Sequence, residues 1–367
     1  MNFTSQQYLH ALAPIDIVID TFIEEEKSRL SLINTDDDLD VWSIQSQGRF
    51  AALLASPPNS RSDFIHEDEE IDCDGVDFLP SAKYVQKLLK RYTTRLEMEG
   101  KELESNNVAS LVCHFSMARI SKLPDPADSC LLTYRVPSQV EEGDGYLSNQ
   151  MKHDLLRIRI YPHHNDVGVA KVWEAGACLS EYLIQNPDGV RGRRVIELGA
   201  GVGLTGLVAA AIGAKSVHMT DYTDATLENL SYNISINNKL FEDRGIEKEI
   251  VTVGHLEWGE YAENDCSSHP AADVLIAGDV VYTVECIPDL VATVSKFLSS
   301  GSATNSKFAL FATTYRNRST FGLFEKELKQ KRITCDYKSQ DGMPFVFPCY
   351  FNQPRSDVRI CKMTLSE

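Results

Sequence analysis

The chain has 367 residues, 43% apolar and 24% charged, enough for a sizeable core and a soft expectation of two domains. Its formal net charge is −17, and residues 1–80 supply −13 of it, with seventeen acids against Lys27, Arg29, Arg49 and Arg61. This acidity excludes a broad electrostatic footprint for nucleic acid. The uncharged run 198–214 is 17 residues long, short of the ~20 apolar residues a membrane span needs.

The first residues lack a basic n-region and an apolar h-region, so no signal peptide is expected. Nine cysteines are scattered with no C-x-x-C pair. They predict neither a disulfide framework nor a zinc knuckle, and a reducing, cytoplasmic location.

Residues 1–33 are open: the apolar positions fit a helix, and IDIVID also fits a strand. Residues 34–80 (NTDDDLD, SPPNSRSD, HEDEEIDCDGVD) read as a linker or long loop. Such an acidic segment attracts a basic partner surface or merely aids solubility. At 82–98, Tyr84, Val85, Leu88, Leu89, Tyr92 and Leu96 recur at three-and-four spacing and predict a helix. Residues 1–129 are therefore expected to be an acidic accessory region, helical near 82–98 and otherwise irregular.

Segments 130–136 and 154–161 read as strands, the second alternating Ile158 and Ile160 with Arg157 and Arg159. An antiparallel pair is expected. From residue 167 onward, helices alternate with short apolar strands. The strands fall near 194–198, 216–220, 250–256, 273–277, 308–313, 333–337 and 358–363. This alternation predicts an α/β domain over 130–367, with a mostly parallel sheet covered on both faces.

The strand RVIEL runs into Gly199, Ala200, Gly201, Val202 and Gly203, then a helix. Alternate glycines permit a sharp turn and close approach of a ligand to the backbone. By itself the loop fits an S-adenosylmethionine site, a dinucleotide site or plain packing. Asp221 ends the next strand, where it can accept from both ribose hydroxyls or cap the following helix. Trp258 follows the third strand, and Asp279 and Tyr282 follow the fourth. Trp173 opens the helix before the glycine loop. Each aromatic also has an ordinary reading as core. His163, His164 and Asp166 lack a second pair at ligand spacing, so no metal is expected. No G-x-S-x-G elbow supports a hydrolase.

Taken in order, V-W-x-A-G, E-L-G-A-G-x-G-L-T-G, L-E-W and D-V-V-Y resemble the family of seven-β-strand protein-lysine methyltransferases, over 154 to about 337. The resemblance implies the Rossmann-like, seven-stranded sheet of class I methyltransferases and S-adenosylmethionine as cofactor. It implies a protein substrate with a target lysine; the chain is further expected to be a monomer, with no nucleic-acid or membrane partner. Gly199, Ala200 and Gly201 would contact the amino-acid part of the cofactor and Asp221 the ribose. Trp258 and Gly278, where the family often has alanine, would face the adenine side, and Trp173 would line the pocket.

Asp279 and Tyr282 would form the lysine-facing end. There, Asp279 would attract the ammonium and Tyr282 would orient the nitrogen. Asn233 and Asn237 are read as structural. The segment TYRNRSTFGLF resembles the branch acting on elongation factor 2, which makes that factor the expected substrate. The alternatives are another cytosolic protein, a non-catalytic methyltransferase-like binding module, or a dinucleotide dehydrogenase.

Overall fold

The computed structural model describes residues 15–33, 40–55, 82–117, 126–137, 153–263, 270–300, 307–340, 343, 346–347 and 357–366. The chain falls into two units that divide between Tyr134 and Arg135.

In the first unit, the described helices are α1 (Ile15–Ile33), α2 (Ile44–Ala55), α3 (Ala82–Met98) and α4 (Asn106–Met117). Their apolar stripes meet in one core around Phe22, Phe50, Leu88, Tyr92 and Leu111. Phe50 stacks on Tyr92 at 3.7 Å between ring centroids, and Phe22 meets Phe50 edge-on at 5.2 Å. Glu26 is buried there and bonded to Arg29, Arg49 and Ser46. These partners hold its carboxyl below the usual range against the opposing effect of burial.

The helical alternative for IDIVID is the one observed. The linker reading of 34–80 needs correction at α2, which is helical with Phe50, Leu53 and Leu54 buried. Its apolar spacing is flanked by acidic and proline-rich runs that obscured it. The acidic stretch 56–81 lies outside the described residues.

Strands β1 (Cys130–Pro137) and β2 (His153–Ile160) form a two-stranded sheet. Short helix α5 (Val167–Ala170) and α6 (Glu174–Gln185) follow. Then come β3 (Arg194–Leu198), α7 (Leu204–Ala211), β4 (Ser216–Asp221), α8 (Asp224–Ser235), α9 (Asn238–Asp243) and β5 (Val251–His255). The rest of the unit is α10 (Trp258–Glu263), β6 (Val274–Gly278), α11 (Ile287–Ser299), β7 (Phe308–Thr314), α12 (Arg318–Gln330), β8 (Ile333–Lys338) and β9 (Val358–Leu365).

The seven-stranded sheet has the order β5-β4-β3-β6-β7-β9-β8. It is parallel from β5 to β7, while β9 runs antiparallel to both its neighbours. This is the expected mostly parallel α/β sheet. Helix α11 buries Ile287, Leu290, Val291, Val294 and Phe297 in a core shared with Leu198, Leu275 and Phe311. The chain first winds outward through β3, β4 and β5, then returns to the other side of β3 as β6. The crevice at that reversal, beyond the carboxyl ends of the strands, is where such sheets take ligands.

Asn233 on helix α8 and Asn237 in the turn that follows it hold the backbone of β2. Asn237 accepts from the Arg157 N–H at 2.8 Å and donates to its carbonyl at 2.7 Å. Asn233 accepts from the Arg159 N–H at 2.8 Å and donates to its carbonyl at 3.2 Å.

Cys335 and Cys361 form a disulfide between β8 and β9, with Cα atoms 5.8 Å apart. Among the described residues, this bond departs from the expectation of reduced thiols. The antiparallel ladder sets Tyr337 opposite Cys361, which brings two cysteines distant in sequence together. Among the described residues, no helix is long and apolar enough to cross a membrane.

Candidate active site

The glycine loop leaves β3 with Gly199, Gly201 and Gly203 all at positive φ (59°, 55° and 87°). That region favours glycine because a Cβ clashes there. A Cβ on Gly199 would also lie 2.9 Å from the Val280 side chain and 3.6 Å from the Trp258 ring. The loop is pinned by the Ala200 N–H, which donates to the Thr220 carbonyl at 2.9 Å. Below it, Glu197 is fully buried, with one carboxylate oxygen lacking a hydrogen-bond partner. Burial raises its pKa to about 8.

Asp221 ends β4 with its carboxylate turned toward the loop. It accepts from the Gly201 N–H at 3.0 Å and from the Tyr222 N–H at 2.8 Å. Burial pushes its carboxyl above the usual range, while those N–H groups pull it back. Asp221 is not the cap of α8, because Thr223 occupies that position and accepts from the Thr226 N–H. Asp166 joins this side of the site: it caps α5 and accepts from Thr223 and Thr226.

Trp258 begins α10 and packs against the core beside the loop. Trp173 precedes α6, donates its indole N–H to the Val167 carbonyl at 3.3 Å, and has Lys171 4.1 Å from its ring centroid. At Gly278, a Cβ would lie 2.6 Å from the Gly176 Cα. Close approach of α6 to β6 therefore explains glycine where alanine is common in the family. Tyr282 is half exposed (51%). Its hydroxyl pKa is raised chiefly by burial, with Tyr222, Cys286, Asp221 and Asp166 adding to the shift.

Asp279 does not present a free carboxylate, contrary to the expectation that it would meet an ammonium directly. One oxygen accepts from the Thr314 N–H at 3.2 Å and Arg316 Nη1 at 2.9 Å. The other accepts from Thr314 Oγ1 at 3.2 Å and Arg316 Nη2 at 2.7 Å. Arg316 Nη2 also reaches Glu174 at 3.1 Å. Arg316 lies within the TYRNRSTFGLF segment, and nothing in its local sequence marks this role. Its partners are 37 and 142 residues away, so no local spacing reveals them. Among the described residues, no group of three His, Cys, Asp or Glu could hold a metal ion.

Residues 151–330 match the model of the lysine methyltransferase family. This segment belongs to that family. Over 190 residues the chain is 31% identical to the protein N-terminal and lysine N-methyltransferase EFM7 of Cryptococcus neoformans, covering 50% of this chain and 58% of that protein. It is 28% identical over 257 residues to the protein-lysine N-methyltransferase EFM3 of Chaetomium thermophilum, covering 67% and 72%. It is 34% identical over 176 residues to the protein-lysine N-methyltransferase EEF2KMT of Mus musculus, covering 46% and 51%. The chain thus spans little more than half the length of EFM7 and EEF2KMT.

The cofactor of this methyltransferase family is S-adenosylmethionine, and the residues here fit it. The Asp221 carboxylate, which accepts from the Gly201 and Tyr222 N–H groups, has lone pairs left for hydroxyl donors beside the glycine loop.

Proposed function

We propose that the chain is a cytosolic, monomeric, S-adenosylmethionine-dependent protein-lysine N-methyltransferase with elongation factor 2 as its substrate. The observation that carries this reading is Asp221 bonded to the Gly201 N–H beneath a loop of positive-φ glycines, at the switch point of a family-matched sheet. In this reading, 130–367 performs the chemistry and 1–129 is accessory.

S-adenosylmethionine, when bound, supplies an electrophilic methyl group. Gly199, Ala200 and Gly201 hold its amino-acid end. Asp221 accepts from the ribose hydroxyls, Trp258 and Gly278 border the adenine side, and Trp173 lines the pocket. The protein's main contribution is to hold the lysine nitrogen in line with the methyl carbon. With a pKa near 10.4, only about one lysine in a thousand is neutral at pH 7.4, so the bound ammonium must shed a proton. Tyr282 orients the nitrogen through its hydroxyl or ring. Its exposure leaves that proton a path to water. Asp279 acts by shaping the turn before Tyr282, since both its oxygens are occupied.

Elongation factor 2 is named on the TYRNRSTFGLF segment and on the similarity to mouse EEF2KMT. The similarity to EFM7, whose name includes N-terminal methylation, makes a backbone amine the competing acceptor. Calorimetry tests the cofactor assignment: S-adenosylmethionine should bind and NAD should not. Binding of NAD alone would favour a dehydrogenase, and binding of neither a docking module.

A further inference from the structure

We propose that Arg316 is a positioning residue for methyl transfer: by clamping Asp279 it fixes the turn that carries Tyr282. The catalytic consequence rests on the methyltransferase reading, whereas the clamp itself does not.

Asp279 has φ 62°, one of two non-glycine residues at positive φ among those described. That conformation is strained for a residue with a Cβ and persists only where neighbours impose it. Here the Asp279 N–H donates to the Ala312 carbonyl at 2.8 Å, and the carboxylate takes the four bonds from Thr314 and Arg316. Thr314 alone would leave half of those bonds unmade. The guanidinium supplies the rest as a two-pronged pair, a geometry lysine cannot reproduce.

The same guanidinium bonds Glu174 at the start of α6 and lies 5.5 Å from the Trp173 ring centroid. Arg316 therefore ties together the segment bearing Trp173, the turn bearing Tyr282 and the end of β7. The side chains of Asp279 and Glu174 are 2% and 8% exposed, and that of Arg316 34%. Strands β6 and β7 and helix α6 are anchored by apolar residues such as Leu275, Phe311 and Leu179, independently of this ion pair. Losing Arg316 should loosen the turn and leave the fold standing.

The test uses the full chain and the variants Arg316→Ala, Arg316→Lys, Asp279→Asn and the Arg316→Ala/Asp279→Asn double. Amide exchange at Asp279 and Thr314, whose N–H groups are bonded to the Ala312 carbonyl and the Asp279 carboxylate, should be roughly tenfold or more faster in Arg316→Ala when read by mass spectrometry, the scale of one lost charged hydrogen bond. Arg316→Lys should recover part of that protection.

With elongation factor 2 as acceptor, kcat should fall in step with protection, while cofactor affinity changes by less than about threefold. The double variant should lose no more than the worse single one, because both break one unit. Unchanged exchange in Arg316→Ala would overturn the clamp, even if the wild type transferred no methyl group. Faster exchange with unchanged kcat, or additive losses, would overturn the positioning role. Failure of the wild type to methylate any protein would instead remove the proposed function, with the exchange result still deciding the clamp. Should Arg316→Ala not fold, Arg316→Gln is measured in its place.

Discussion

Asp221→Asn changes one oxygen to an amide nitrogen and removes the charge while keeping the side chain's size. In the folded chain one carboxylate oxygen faces the Gly201 N–H at 3.0 Å and the other faces the Tyr222 N–H at 2.8 Å. Whichever way the amide turns, its NH2 meets an N–H. One charge-assisted bond is lost, about 1.5–3 kcal/mol, and a donor opposes a donor. The ribose hydroxyls would also find one acceptor where there were two. Affinity for S-adenosylmethionine should fall roughly 10- to 150-fold, as it should for Asp221→Ala.

The pH dependence has a definite sign. Burial raises the carboxyl pKa above its ordinary 3.8. Affinity should therefore decline as pH falls through that raised value, and the decline should be absent in the asparagine variant. Calorimetry at several pH values, with circular dichroism to establish folding, is the assay. A folded Asp221→Asn that binds with wild-type affinity would refute the argument.

Asn233→Ala removes a fully buried side chain and strands the Arg159 N–H and the Val202 carbonyl, while the Arg159 carbonyl keeps its bond from Asn229. It should cost about 3 kcal/mol in urea unfolding, and a cost below about 0.5 kcal/mol would mean that α8 does not hold β2. Gly278→Ala drives a Cβ to 2.6 Å from Gly176 and should destabilise by about 1–3 kcal/mol. A neutral result would contradict the close approach of α6. Glu197 keeps its proton up to a pKa of about 8 in the folded chain, against 4.5 ordinarily. Between those values the unfolded chain binds fewer protons, so stability falls as pH rises, by at most about 1.4 kcal/mol per unit. Glu197→Gln should flatten that slope in thermal unfolding, and an unaltered profile would count against the raised pKa.

The sheet was legible because its strands are short apolar runs bounded by glycine or charge, as in RVIEL before Gly199. Helix α3 was legible because its apolar face repeats over 17 residues. Helix α2 was not, since 12 residues carrying Phe50, Leu53 and Leu54 lie between acidic and proline-rich runs. Helix α4, NNVASLVCHFSM, has polar residues among its apolar ones and gave no clear period.

In the site, the glycine loop and Asp221 were legible because backbone strain and a strand-end acid leave local marks. The state of Asp279 was not. Whether a carboxylate is free depends on a cation 37 residues away, which only the packing of β6 beside β7 brings near. Gly278 likewise makes sense only against Gly176.

The most direct measurement is mass spectrometry of elongation factor 2 after incubation with the full chain and S-adenosylmethionine. The expected result is a mass increase of one or more methyl groups confined to lysine, reduced in Asp221→Ala at limiting cofactor. Methyl groups on an N-terminal amine or another residue type, with none on lysine, would contradict the assignment.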